Sequence, residues 1–225
     1  MAARGAFYRE WIAANGLAEA AGLGTTFVLG RALAPILAAG SSARGVIAGA
    51  LGAVAAGVVL EGVVVGCSQG WVLHRHLPAV SVARWVRATA LGAGAAWLIG
   101  MIPSTVIGLY QLTASGGAAA SGGPAASEPP KLLQYGLAVL LGAVTGPILG
   151  AVQARALGRL TPPVRGWVVA NAAAWALGML LLFVGMDQLP WTRGGLPLIL
   201  GIYLVSGIAG LAVGAVHGRW LLPHV

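Results

Sequence analysis

The sequence predicts an all-α membrane protein of six transmembrane helices, built as three parallel two-helix hairpin repeats with pseudo-threefold symmetry. Three observations lead there. Of 225 residues, 58% are hydrophobic and 8% charged, with a mean hydropathy of +0.88, far from the make-up of soluble domains. Several apolar runs exceed the roughly 20 residues that cross about 30 Å of hydrocarbon, and none alternates like a strand, so helices rather than a barrel make the crossings. One pattern of small residues with a polar one also occurs three times. It reads Gly62, Gly66, Gly70 with Gln69; Gly146, Gly150, Ala154 with Gln153; and Gly210, Gly214, Gly218 with His217.

The first helix spans about 6–36. The stretch Met1–Trp11 lacks a signal-peptide pattern, because Asn15 and Glu19 interrupt the apolar run and no cleavage site follows, so this run reads as a retained span. The second helix, about 45–73, carries Glu61 and the first glycine motif; the third covers about 83–112 and the fourth about 131–158. The fifth and sixth cover about 164–187 and 195–222. Pro78, Pro162 and Pro163 punctuate short connections. Residues 115–130, rich in Gly, Ser, Ala and Pro, have the composition of a flexible linker and form a loop between helices three and four. The chain is thus a single integral membrane domain over 1–225, with hairpins at about 6–73, 83–158 and 164–222.

The odd-numbered helices repeat at an offset of 78 residues: Arg9, Arg87, Arg165; Trp11, Thr89, Trp167; Asn15, Ala93, Asn171; Glu19, Trp97, Trp175; Gly22, Gly100, Gly178. Each hairpin enters and leaves on one side, so the repeats are parallel about an axis along the membrane normal. Two inverted three-helix halves would require helix one to match helix four, whereas the glycine motifs align helix four with two and six.

Three segments also carry a likeness: Trp11 to Gly24, Glu61-Gly-(x)3-Gly-x-x-Gln69 with Trp71-Val-Leu after it, and Ala174-Trp-Ala-Leu-Gly-Met179. In them the chain resembles a family of uncharacterised bacterial six-helix membrane proteins, over most of its length except the 115–130 loop. That pattern commonly has a Gln-Trp pair, while here Gly70 follows Gln69 and Ala154 follows Gln153. The resemblance implies the topology and a bacterial cytoplasmic (inner) membrane, and carries no chemistry.

Arg4, Arg9, Arg75, Arg84, Arg87, Arg155, Arg159, Arg165 and Arg219 fall on one side of the six-helix arrangement, and Arg31, Arg44, Lys131 and Arg193 on the other. The excess places both termini in the cytoplasm and the 115–130 loop outside. Topology and anionic lipid head groups explain the net charge of +8, so it is not read as a nucleic-acid footprint. The repeated Arg9, Arg87 and Arg165 are read the same way, with an anion-attracting mouth as the lesser alternative. Trp11, Trp71, Trp85, Trp167 and Trp220 near the cytoplasmic helix ends, with Trp191 at the far side, fit an interfacial belt. The lone Cys67 excludes an intrachain disulfide framework and a cysteine-only metal site.

The glycines read as packing faces, since close backbone approach drives helix association in lipid; the lesser alternative is that they open space for a ligand. Glu19 and Glu61 are sharper. They fall near mid-membrane on adjacent antiparallel helices, where a carboxylate is expensive. If they meet, they share a proton, as a proton relay or cation site needs. The competing reading is a structural clasp satisfied by Asn15, Thr25, Thr26 or Gln69. Only the first repeat carries the acids: the mates of Glu61 are Thr145 and Ala209.

Gln69, Gln153 and His217 lie about 12 Å toward the cytoplasm from the level of Glu61. With Asn15 and Asn171 they would line a cytoplasm-facing polar cavity, or else bond helices to one another. His217 reads as an interface histidine before a cofactor ligand, and His74 with His76 is weak evidence for a metal. Gly66-Cys-Ser-Gln-Gly70 matches the hydrolase elbow formally, but the helical context opposes it, as it opposes Ser68 and His217 as a protease pair.

The expectation is a transporter or channel-like protein for a small solute or ion, not an enzyme, with no catalytic residues, metal or cofactor. The alternatives are a structural or accessory membrane subunit and a cofactor-binding membrane protein. Its partners are the lipid bilayer and not nucleic acid, and the sequence leaves open a homo-oligomer or a partner subunit.

Overall fold

The computed structural model describes residues 2–39, 42–114, 129–158 and 164–225. Most of the 115–130 loop, together with Arg159, Pro162 and Pro163, lies outside them. Among the described residues the chain is helical, with no strand. Six helices are long and apolar enough to cross a membrane: α1 (Ala2–Leu33), α2 (Ala43–His76), α3 (Val82–Thr113), α4 (Lys131–Leu157), α5 (Arg165–Asp187) and α6 (Gly195–His224).

Local chemistry sets several ends. Ser42 caps α2, its hydroxyl accepting the Gly45 amide at 3.2 Å, which satisfies one of the unpaired first-turn donors. Gly158 stops α4 at φ +62° and Gly194 precedes α6 at φ +61°, backbone conformations that favour glycine. Two features interrupt the regular ladder near mid-helix. Residues Ala20–Gly24 of α1 and Gly57–Val63 of α2 are π-helical, and among the described residues no other helix contains such a turn.

The helices form a closed ring in chain order, each packed on its neighbours in sequence, with α6 closing onto α1. The two chain ends meet, with Arg4 Nε donating to the Val225 carbonyl at 3.3 Å. Glu10 of α1 pairs with Arg75 at 3.7 Å and His76 at 3.1 Å at the end of α2. This terminal end therefore gathers the starts of odd helices and the ends of even ones.

The glycine faces press each even helix against the odd helix that follows it, and α6 against α1. A Cβ on Gly66 would stand 2.9 Å from Val86 Cα, one on Gly214 2.9 Å from Asn15 Cβ, and one on Gly146 would overlap the Asn171 carbonyl. The contacts of the repeated motif glycines thus lie between successive hairpins rather than inside them. The reason is that the packing faces of α2, α4 and α6 point along the ring, away from the helix to which each is joined.

Candidate functional site

The interior divides into two levels. At the terminal level Trp11, Trp85 and Trp167 are fully buried, with ring centroids 6.0–6.4 Å apart in tilted and edge-on contact. These three were expected in an interfacial belt, and the structure corrects that. A ring of six helices leaves axial space that small residues cannot fill, and three indoles fill it. Trp71, by contrast, is exposed, with Arg75 over its ring at 5.5 Å. The offset of 78 also misaligns α3: Trp85, one turn before Thr89, takes the place beside Trp11 and Trp167.

Around the indoles lie the polar residues expected to line a cavity, and most of them bond one another or the indoles. Trp85 Nε1 donates to Gln69 Oε1 at 3.1 Å, and Gln69 Nε2 donates to Asn15 Oδ1 at 2.7 Å. Gln153 Nε2 donates to Thr89 Oγ1 at 3.0 Å and, more weakly, to Gln69 Oε1 at 3.4 Å. Asn15 and Asn171 each return their amide N–H to a carbonyl one turn back, on Trp11 and Trp167. Trp11 Nε1 donates to His217 Nδ1 at 3.0 Å. An indole N–H is a donor only, so that ring nitrogen accepts, and His217 is held as an element of the packed core.

Asn15, Gln69, Gln153, Asn171 and His217 are all at most 4% exposed. The expected polar cavity is therefore replaced at this level by a plug, because the indoles occupy the space and Asn15, Gln69 and Gln153 are linked to one another. Three atoms of the cluster are left open: Trp167 Nε1, Gln153 Oε1 and Asn171 Oδ1 are buried without a partner. Ser68 donates to the Ala14 carbonyl at 3.1 Å, not to His217. His74 engages the Val80 carbonyl and His76 engages Glu10.

The acids lie at the second level, on helix segments that pack against each other. Glu19 ends the α-helical part of α1 just before its π turn, and Glu61 sits inside that of α2. The two π segments pack on each other, and a Cβ on Gly22 would stand 2.8 Å from Glu61 Cα. Both carboxyl groups are buried. A π turn widens the helix by one residue and re-aims side chains, and such turns are frequent at functional sites. The expected clasp does not form: Asn15 serves Gln69 and the Trp11 carbonyl, Thr26 bonds the Gly22 carbonyl, and Thr25 pairs with Tyr203. Glu61 Oε2 instead accepts Trp97 Nε1 at 2.6 Å, and Glu19 Oε2 is buried with no partner.

A cavity of about 450 Å³ reaches Glu61 from the end of the bundle opposite the chain termini. Its walls come chiefly from α3, α4 and α5 and include Trp97, Met101, Trp175, Met179, Phe183 and Trp191. Asp187 lies at its mouth, bonded to Lys131 Nζ at 2.6 Å and to the Tyr135 hydroxyl at 2.9 Å. Sequence reasoning missed Trp97 and Trp175 as site residues. The available signal was that both occupy the position of Glu19 in the 78-residue offset, where α1 carries the acid.

The arrangement can hold a positive charge or a proton at Glu61, exclude water with aromatic and thioether walls, and block passage toward the termini with the tryptophan plug. No protein-family model matches the chain, and neither a curated protein nor a solved structure does.

Proposed function

We propose that this integral membrane protein is a carrier for a cation or proton, with Glu19 and Glu61 as the charge-binding pair. One observation carries this reading: a buried carboxylate stands at the inner end of an open cavity, with a second buried acid behind it that has an unpartnered oxygen. Acids inside a membrane bundle are costly and mark ion or proton pathways. The plug closes the opposite end, so the arrangement fits a one-sided, alternating carrier better than a continuous channel.

The same reading takes the chain as three hairpins about a pseudo-threefold axis in a bacterial inner membrane, with both termini cytoplasmic. It groups the chain with the six-helix bacterial proteins that it resembles. The three-tryptophan cluster and the glycine contacts repeated on α2, α4 and α6 support the symmetry. The arginine excess at the terminal end supports the orientation. The first hairpin is the specialised one, since the acids and both π turns belong to it.

The test is reconstitution in liposomes containing a pH-sensitive dye, with opposing gradients of protons and of sodium, potassium or an organic cation. Wild type collapses the proton gradient in the presence of one of these cations, and Glu61→Gln does not. Equal rates in wild type, Glu61→Gln and protein-free liposomes would leave a structural subunit as the better reading.

A further inference from the structure

The substrate class can be narrowed by asking what fits the cavity and how it gets there. Among the described residues, the charged groups on the cavity wall are Glu61 and Asp187, and no basic side chain lines it. Asp187 already holds Lys131 and Tyr135 at the mouth. The uncompensated charge is therefore the inner one, at Glu61, whose one hydrogen-bond partner among the described residues is Trp97. Around it stand Trp97, Trp175, Phe27 and Phe183, with Met101 and Met179 filling the gaps.

A bare alkali cation gains little from such walls, because it needs a shell of oxygens that they do not supply. An organic cation gains twice: its charge faces one carboxylate and several aromatic faces, and its apolar body loses water against aromatic and thioether surfaces.

The route is consistent with that chemistry. A second, larger groove of about 870 Å³ runs between the outer parts of α1, α2 and α3. Phe27, Trp97, Met101 and Trp191 line both spaces, so the groove and the cavity adjoin. Ala43–Ala56 of α2 contributes no buried residue, so among the described residues no further element covers this wall of the groove. Arg31 lines this groove and not the cavity, so the basic group stands on the approach rather than beside Glu61.

Resting on the carrier reading, we infer that the cavity takes a monovalent organic cation with an apolar body, reached from the bilayer through the α1–α2–α3 groove. Cation and proton compete for the one Glu61 carboxylate, so one positive charge leaves for each that arrives.

The experiment uses the full chain in detergent and equilibrium dialysis with three probes. Tetraphenylphosphonium is an apolar cation, tetraphenylborate has the same shape with the opposite charge, and tetramethylammonium has the charge without the body. Tetraphenylphosphonium is expected to bind saturably at one site, while the other two neither bind nor compete. Glu61→Gln should raise its Kd by about 30-fold or more, the scale of losing one partner of a desolvated charge pair. Glu61→Asp should retain binding, and Leu141→Trp, which fills the cavity from α4 and leaves the carboxylate, should abolish it. Gel filtration checks that each variant is folded.

Equal binding of tetraphenylborate, equal competition by tetramethylammonium, or an unchanged Kd in folded Glu61→Gln and Leu141→Trp each overturns the proposal. If tetraphenylphosphonium fails to bind while alkali-cation exchange still depends on Glu61, the substrate class falls and the carrier reading stands. If both fail, so does the carrier.

Discussion

The terminal half and the cavity half of the bundle are made from the same six helices, yet they solve the problem of buried polarity in opposite ways. In the terminal half, Asn15, Gln69, Gln153 and His217 are spent on one another, on Thr89 and on indoles, and the polar atoms left over, on Gln153, Asn171 and Trp167, face filled space. In the cavity half, one carboxyl group takes an indole donor, the other has an oxygen with no partner, and open volume reaches the first. Satisfied polarity fixes a structure, while unsatisfied polarity next to space is what a ligand or a proton can use.

That contrast can be broken experimentally, beginning with the contacts that hold both halves. Gly146→Leu should have the largest effect, because even a Cβ there overlaps the Asn171 carbonyl. The expected outcome is protein that no longer elutes as a folded species. Gly136→Leu on the same helix, where nothing lies within 4 Å, should elute as wild type.

Next comes Trp85→Ala, which opens the plug. The loss should be about 3–5 kcal/mol, the usual cost of truncating a fully buried aromatic, read from the unfolding midpoint in mixed micelles. Trp175→Ala should cost roughly half of that, since its ring already borders open volume. Equal costs would mean that the two halves are packed alike.

Glu19→Gln should leave stability unchanged or raise it by about 1 kcal/mol, because it replaces a buried acid whose Oε2 is unpartnered with a neutral amide. A clear loss of stability would restore the clasp reading. The smallest effect separates Trp167→Phe from Trp85→Phe. The first removes an orphan donor and the second a made hydrogen bond, so the second should cost about 0.6 kcal/mol more.

The six crossings were legible because apolar runs of that length have no other stable fate, and the predicted boundaries fall within a few residues of the helices except at the start of α1. That Glu19 and Glu61 belong to neighbouring helix segments was legible too, from equal depth on adjacent helices. What could not be read was direction around the helix. The polar residues Asn15, Gln69, Gln153, Asn171 and His217 do converge, as expected, but whether they surround water or indoles depends on which way Trp11, Trp85 and Trp167 turn. Trp85 escaped because the alignment relied on a fixed offset, and one turn of slip in α3 keeps a residue on nearly the same face. The π turns escaped for a different reason: an inserted residue has no side-chain signature, and here it shows only as an acid beside small residues, in Glu19-Ala-Ala-Gly22 and Glu61-Gly62.

Those two π turns also act as joints. Each carries one residue more than α geometry needs, so deleting one residue within Ala20–Gly24 would restore a plain α-helix. That deletion would leave the outward part on nearly its present face, whereas closing the turn to α geometry with all its residues kept would rotate everything outward by about 100° against everything inward. The outer parts of α1 and α2 are thus aimed independently of the plugged half, and the angle at which they lean into lipid is set beside the two acids.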